Sequence, residues 1–237
     1  MKFPILLPNI FNHPFTYESN MNLEIGDFVE VPFGKSSMVG VVWDEFEIVK
    51  NKDFKIKKVI RKLDIPKLKK KTVNFLNWFA TYNIVPKGMA LKLVILSGKP
   101  IEGFSNGIYQ DFNKNIKENI FELTEEQKNS LKQINNSNQK FNVHVLQGTT
   151  GSGKTLVYFE ALKKILEKGY QGLIMLPEIG LTNQFEKKFI EFFGFEPAIW
   201  HSGVTKKNKK IIWSGIINGQ INVVIGARSS LFLPFKN

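Results

Sequence analysis

Cysteine is absent from the 237 residues, which excludes disulfides and any thiolate-held metal and fits a reducing compartment. Arginine is almost absent: Arg61 and Arg228 stand alone among 33 basic residues. Histidine occurs three times, as His13, His144 and His201. No apolar run approaches the ~20 residues of a membrane span. The opening Met1–Asn9 has too short an apolar stretch for a secretory signal. No internal repeat is evident. These absences lead to the expectation of a soluble, cytoplasmic protein with no membrane partner.

What is present is lysine. The formal net charge is +12, with a pI near 9.6, and such a balance points to an acidic partner, nucleic acid first. The excess is localised: Lys50–Lys71 holds 11 basic and 2 acidic residues, a net of +9, and the other 215 residues share +3. The 43% apolar content is enough for a real core.

Residues 1 to about 65 read as β-rich. Asp27–Phe33 and Met38–Trp43 are strand-like, and Gly34-Lys35-Ser36-Ser37 between them is a turn signal, so the pair reads as a hairpin. Phe54–Ile60 reads as another strand with lysines on its exposed alternation. A small barrel-like sheet carrying lysines and aromatics would suit single-stranded nucleic acid. A helix is expected from Pro66 to about Asn83 and another over Pro86–Leu96. The four tryptophans, Trp43, Trp78, Trp200 and Trp213, read as core. Residues 99–120 are polar and weakly patterned, an interdomain linker between domains at 1–98 and 121–237.

The second domain opens with Thr124-Glu125-Glu126-Gln127, a capping-box pattern. Strands at 141–146, 172–176, 197–200 and 221–225 alternate with helices at 156–166, 182–193 and 205–218. That alternation means a parallel sheet covered by helices. Between the first strand and helix lies Gly148-Thr149-Thr150-Gly151-Ser152-Gly153-Lys154-Thr155, which fits G-x-x-x-x-G-K-[ST]. Glycines let the backbone curl until successive N–H groups face one concavity. The following helix adds its positive N-terminal end. Lys154 can reach the β- and γ-phosphates, and the Thr155 hydroxyl can ligate Mg²⁺. Strand, glycine loop, helix is the context this motif demands.

Three further blocks narrow the reading: Leu176-Pro177-Glu178-Ile179-Gly180-Leu181-Thr182, His201-Ser202-Gly203, and Val224-Ile225-Gly226-Ala227-Arg228-Ser229-Ser230-Leu231-Phe232-Leu233-Pro234-Phe235. In that order and spacing, after the phosphate loop, the chain resembles the PriA-type primosomal helicases of bacterial replication restart. Phe15-Thr16-Tyr17, Val31-Pro32-Phe33-Gly34-Lys35 and Gly40-Val41-Val42 are similar to that family's 3′-DNA-end-binding domain. The resemblance implies a β-rich DNA-binding domain followed by part of a RecA-like helicase lobe. It implies ATP and Mg²⁺ at Gly148–Thr155, and places Gln127 in the adenine-contacting region. It implies DNA contacts by Phe15, Thr16, Gly34, Lys57 and Lys58 at a strand's 3′ end, and by His201, Ser202, Arg228 and Ser229 along single-stranded DNA. Its partners are forked DNA, other primosome proteins and single-stranded-DNA-binding protein.

From the residues alone, Gln127 is equally a helix cap, Ser202 and Ser229-Ser230 are equally loop or cap residues, Glu178 reads as a loop-start or capping residue, and His201 has no nucleophile to serve as a base. Three departures from the family accompany the likeness. Thr16 stands where the family often has aspartate, keeping a hydroxyl and losing a charge. The 97–120 segment is too short for the family's winged-helix domain. The Asp-Glu-Glu-His block, the second helicase lobe and the zinc-binding cysteines do not occur in these residues. The expectation is therefore nucleotide and DNA binding with little ATP hydrolysis by these residues alone. The alternative is a non-enzymatic DNA-end-binding module with a vestigial nucleotide lobe.

Overall fold

The computed structural model describes residues 1–45, 56–95, 121–136, 141–177 and 183–236. They belong to two compact units that do not follow chain order. One contains Met1–Ile108, Gly203–Asn218 and Leu231–Lys236; the other contains Tyr109–Ser202 and Gly219–Ser230.

In the first unit, β1 (Lys2–Leu6), β2 (Phe15–Glu18), β3 (Phe28–Phe33), β4 (Ser36–Val42) and β5 (Arg61–Lys62) form an antiparallel sheet in the order β2-β1-β4-β3-β5. The expected hairpin is β3–β4, paired from Phe28↔Val41 to Phe33↔Ser36. Its two-residue loop is Gly34-Lys35, and Gly34 adopts φ +59, as a II′ turn requires at its first central position. Gly40 is needed for proximity instead. A Cβ there would lie 2.6 Å from the Leu7 side chain and 2.7 Å from that of Ile5, so only glycine lets β4 come this close to β1.

Ile5, Leu7, Tyr17, Leu23, Val29, Val31, Val42 and Val59 form the core on one face. On the other face Phe28 meets Trp213 edge-on at 5.7 Å. Trp213 belongs to α6 (Lys206–Ile217), and its buried Nε1 donates to the carbonyl of Val94 at 2.8 Å. Val94 ends α2 (Lys87–Val94). That bond lets an indole be buried without an unsatisfied donor. α1 (Lys70–Tyr82) turns Val73, Leu76 and Ala80 inward. β5 supplies two cations to this sheet. Arg61 pairs with the buried Glu30 at 2.9 Å and Lys62 with the buried Asp27 at 2.6 Å, and a buried carboxylate needs such a partner.

Three expectations change here. The strand expected over 54–60 is a single bridge, Glu18↔Lys58, followed by β5; residues 54 and 55 lie outside the described ones. The segment bonds first to Glu18 and then to Glu30 and Phe28, so it changes partner before a ladder can form. No ladder joins β2 to β5 among the described residues, and the sheet is open apart from that bridge. Trp78 is 56% exposed, stacked between Phe75 and Tyr82, whereas the other three tryptophans are buried.

In the second unit, β6 (Gly172–Met175), β7 (Ala198–Trp200) and β8 (Val223–Gly226) are parallel in the order β6-β8-β7. They match the strands expected there, and the parallel pairing follows from the βα alternation. α3 (Glu125–Asn135), α4 (Lys154–Glu167) and α5 (Asn183–Phe193) complete the unit. The core is aromatic: Phe159 contacts the rings of Phe185, Phe189, Phe192 and Phe193 with centroids 5.3–5.8 Å away. The expected strand at 141–146 does not form. Phe141, Val143 and Val145 are 78%, 76% and 89% exposed, with no ladder partner. Its sequence has strand character, but a strand exists only with a neighbour to bond. Among the described residues no helix is long and apolar enough to cross a membrane.

Candidate nucleotide and nucleic-acid sites

The Gly148–Thr155 loop opens α4. Gly151 and Gly153 take φ +85 and +77, and Gly153 is the N-cap of α4. No side chain caps this helix and no acidic residue occupies its first turn, so its first N–H groups are left to an anion. Lys154 folds back, donating through Nζ to the carbonyls of Gly148 and Thr149, both at 2.6 Å. Its ammonium is thereby held over the loop that would carry the phosphates.

Gln127 ties α3 to this loop. Its Oε1 accepts from Thr124 N at 3.0 Å, and its backbone N donates to Thr124 Oγ1 at 3.3 Å, the reciprocal capping box the sequence announces. Its Nε2 also donates to the Ser152 carbonyl at 3.1 Å. Cap and loop strut are the same side chain. A Cβ on Gly153 would lie 2.3 Å from that Nε2, so Gly153 is required twice, by φ and by Gln127. Tyr158, one turn into α4, donates to Thr155 Oγ1 at 3.2 Å.

A magnesium nucleotide fits this donor set. Mg²⁺ keeps several waters and takes few protein ligands beside substrate phosphates, and Thr155 offers one hydroxyl oxygen. No group of three or more His, Asp or Glu residues that could hold a metal by itself occurs among the described residues.

Two further motif blocks meet at the C-terminal ends of the parallel strands. His201-Ser202 follow β7 and Arg228-Ser229 follow β8. Trp200 and Gly226 are paired across the parallel strands, and Ala227 N donates to Trp200 O at 3.0 Å. The two loops therefore leave side by side at the strands' C-terminal ends, where open α/β sheets bind ligands. Arg228, Ser202 and Ser229 are exposed. Ser230 is fully buried and donates to Ala227 O at 2.5 Å, which is a structural role. Residues 178–182 lie outside the described ones, as do those of the 99–120 segment.

In the first unit, Phe15 meets Phe33 at 5.5 Å, beside Gly34. Thr16 faces Pro4 across the ladder. Strand alternation puts its side chain on the opposite face from Phe15 and Tyr17. Lys57 and Lys58 are exposed, on the segment bonded to Glu18, two residues beyond Thr16. The sequence reading missed that Phe11 and His13 join this ring group, 5.2 and 5.0 Å from Phe15. It also missed Tyr158; the three-residue spacing from Thr155 was the available signal.

Residues 4–96 match the 3'DNA-binding domain (3'BD) family of PriA, and residues 124–237 match the DEAD/DEAH box helicase family. Relatives called "Replication restart protein PriA" include that of Rickettsia conorii, 40% identical over 98% of this chain and 35% of its own length. That of Bacillus subtilis is 38% identical over 48% of this chain and 14% of its own length. That of Haemophilus influenzae is 43% identical over 41% and 13%. The chain thus spans about a third of the length of the Rickettsia relative it matches almost end to end.

Proposed function

For a chain that belongs to the PriA family of replication restart proteins, we propose a part in the work of an ATP-dependent 3′-to-5′ DNA helicase at forked DNA, with nucleotide and DNA binding but little ATP hydrolysis by these residues alone. In this reading residues 1–98 hold a nascent 3′ end, 99–120 link the domains, and 121–237 form the N-terminal part of helicase lobe 1. Other primosome proteins and single-stranded-DNA-binding protein are the expected partners. The observation that carries the nucleotide half is the glycine loop opening an uncapped α4 with Lys154 and Thr155 as its first residues.

Each residue's role follows from its chemistry. The loop N–H groups and the end of α4 receive the phosphates. Lys154 exchanges its two carbonyl acceptors for the more negative β- and γ-oxygens. Thr155 would hold Mg²⁺ by Oγ1, and the ion would supply neutralisation of the charge that develops on the phosphates. Gln127 keeps the loop's shape and has one Nε2 hydrogen left for an adenine. Arg228, Ser229, His201 and Ser202 present donors to a DNA backbone, and Lys57, Lys58, Phe15, Thr16 and Gly34 receive the 3′ end.

The test is equilibrium titration with ATP·Mg²⁺. Binding that disappears in Lys154→Ala supports the reading. Absence of binding by the unaltered chain supports the second reading, a DNA-end-binding module with a vestigial nucleotide lobe. The exposed apolar side chains of 141–145, directly before the loop, are the observation favouring that alternative.

A further inference from the structure

The nucleotide loop is completed from below by a residue that no motif includes. Tyr158 lies three positions after Thr155 on α4, so the two side chains share a helix face. Its ring is wedged among the partly buried residues over the aromatic core, with Leu156 and Leu162, and meets Phe159 edge-on at 5.3 Å. The phenol is thus fixed by packing, and its hydroxyl donates to Thr155 Oγ1 at 3.2 Å.

Thr155 needs such a partner. A threonine in a helix divides between two χ1 rotamers, because its hydroxyl can turn back to a carbonyl three or four residues earlier. At Thr155 those carbonyls belong to Ser152 and Gly151, within the phosphate loop itself. A threonine that turned to them would draw its oxygen toward the loop backbone. A hydroxyl has two lone pairs and one hydrogen. Donation from Tyr158 occupies one lone pair, fixes the rotamer, and leaves the other lone pair for a cation.

We propose that Tyr158 is a positioning residue for magnesium: it holds Thr155 Oγ1 in the orientation from which that oxygen ligates the ion of a bound nucleoside triphosphate. This rests on the nucleotide-binding reading above. It predicts a specific division of effects. The phosphates are received by backbone N–H groups and Lys154, which Tyr158 does not touch, so nucleotide binding without metal is independent of the phenol oxygen. Binding with Mg²⁺ depends on it. One neutral hydrogen bond corresponds to a change of about fivefold in affinity.

The experiment compares the unaltered chain, Tyr158→Phe, Thr155→Val and Lys154→Ala, using a fluorescent ATP analogue titrated in Mg²⁺ and in EDTA. Thermal melts establish that each variant is folded. Tyr158→Phe keeps the ring and its packing, so its melting temperature stays close to that of the parent. The expected result is an affinity for the Mg²⁺ complex lower by about fivefold, an unchanged affinity in EDTA, and a Mg²⁺ titration midpoint moved to higher concentration. Thr155→Val, which removes the ligand oxygen, moves the same readouts further in the same direction. Equal losses with and without Mg²⁺ would mean that Tyr158 acts through packing, and would overturn the proposal. So would no loss in either condition. Binding by Tyr158→Phe that equals the parent, alongside loss in Lys154→Ala, rejects this inference and leaves the nucleotide reading standing. A parent chain that binds no nucleotide rejects both.

Discussion

Gly153→Ala should damage the phosphate loop for two separable reasons. The position has φ +77, and a left-handed conformation costs a non-glycine residue roughly 1–2 kcal/mol. The new methyl would also fall 2.3 Å from Gln127 Nε2. The amide must withdraw, and with it go the bond to Ser152 O and the reach that holds the capping box. A net hydrogen bond is worth about 1 kcal/mol and an N-terminal cap roughly another, so the expected total is about 2–4 kcal/mol. Gln127→Ala alone should cost about 1–2 kcal/mol through the same bonds. The two losses overlap. In Gly153→Ala with Gln127→Ala the clash has no object, so the double variant should be more stable than the sum of the singles by about 1 kcal/mol. Urea denaturation followed by circular dichroism, on all four proteins, gives the cycle directly. Strict additivity would refute the strut: Gln127 would then be a helix cap and nothing more.

Ile84 is a β-branched residue at φ +55, 93% exposed, just past the end of α1. Ile84→Gly removes the strain and sacrifices no burial, so it should stabilise by about 0.5–1 kcal/mol in the same assay. Gly40→Ala should instead destabilise strongly, by about 2 kcal/mol or more, because Ile5, Leu7 and the Leu6 carbonyl stand within 2.8 Å of the added carbon. If Lys57 and Lys58 contact phosphates, replacing either by alanine should lower the slope of log K against log salt by about 0.7–0.9, measured by fluorescence anisotropy on a recessed 3′ end. Glu24 is held below the usual carboxylate range by its hydrogen bond and charge contact with Lys67, which is raised in turn. The pair therefore supports folding above the ordinary carboxylate range and loses effect as pH falls from that range through Glu24's lowered value, or as pH rises through the raised lysine; Glu24→Gln should flatten that acid limb.

The parts of this fold legible in the sequence are those decided locally. Alternation marks β3 and β4, and Gly34 marks the turn between them. Helical spacing separates β6, β7 and β8, and Thr124 with Gln127 writes a capping box that forms as spelled. What failed depends on partners far along the chain. Phe141–Leu146 has strand composition, but nothing in six residues states whether a neighbour is available to bond them. Trp78 has the size of a core residue and lies on the solvent side of α1, beside the inward Leu76 and Ala80. Pairing with Glu18 and then Glu30 broke the expected 54–60 strand, and neither glutamate is near it in sequence. At the candidate sites the motif residues and the Gln127 cap were visible, but the bond from Gln127 to Ser152 O and the role of Tyr158 were not.

That distinction has a physical basis. A phosphate loop needs glycines and a lysine at fixed spacing because the ligand dictates the spacing. The residues that hold the loop are set by the fold around it. Here that support comes from two elements, Gln127 of α3 through Ser152 O and Tyr158 of α4 through Thr155 Oγ1. One fixes the backbone that meets the phosphates, and the other fixes the hydroxyl that would meet the cation. Their loss should therefore separate. Gln127→Ala loosens the loop and should weaken nucleotide binding in Mg²⁺ and in EDTA alike, whereas Tyr158→Phe should act only when Mg²⁺ is present. If both variants show the same pattern, the loop and its metal ligand move as one piece, and the division of labour between α3 and α4 is wrong.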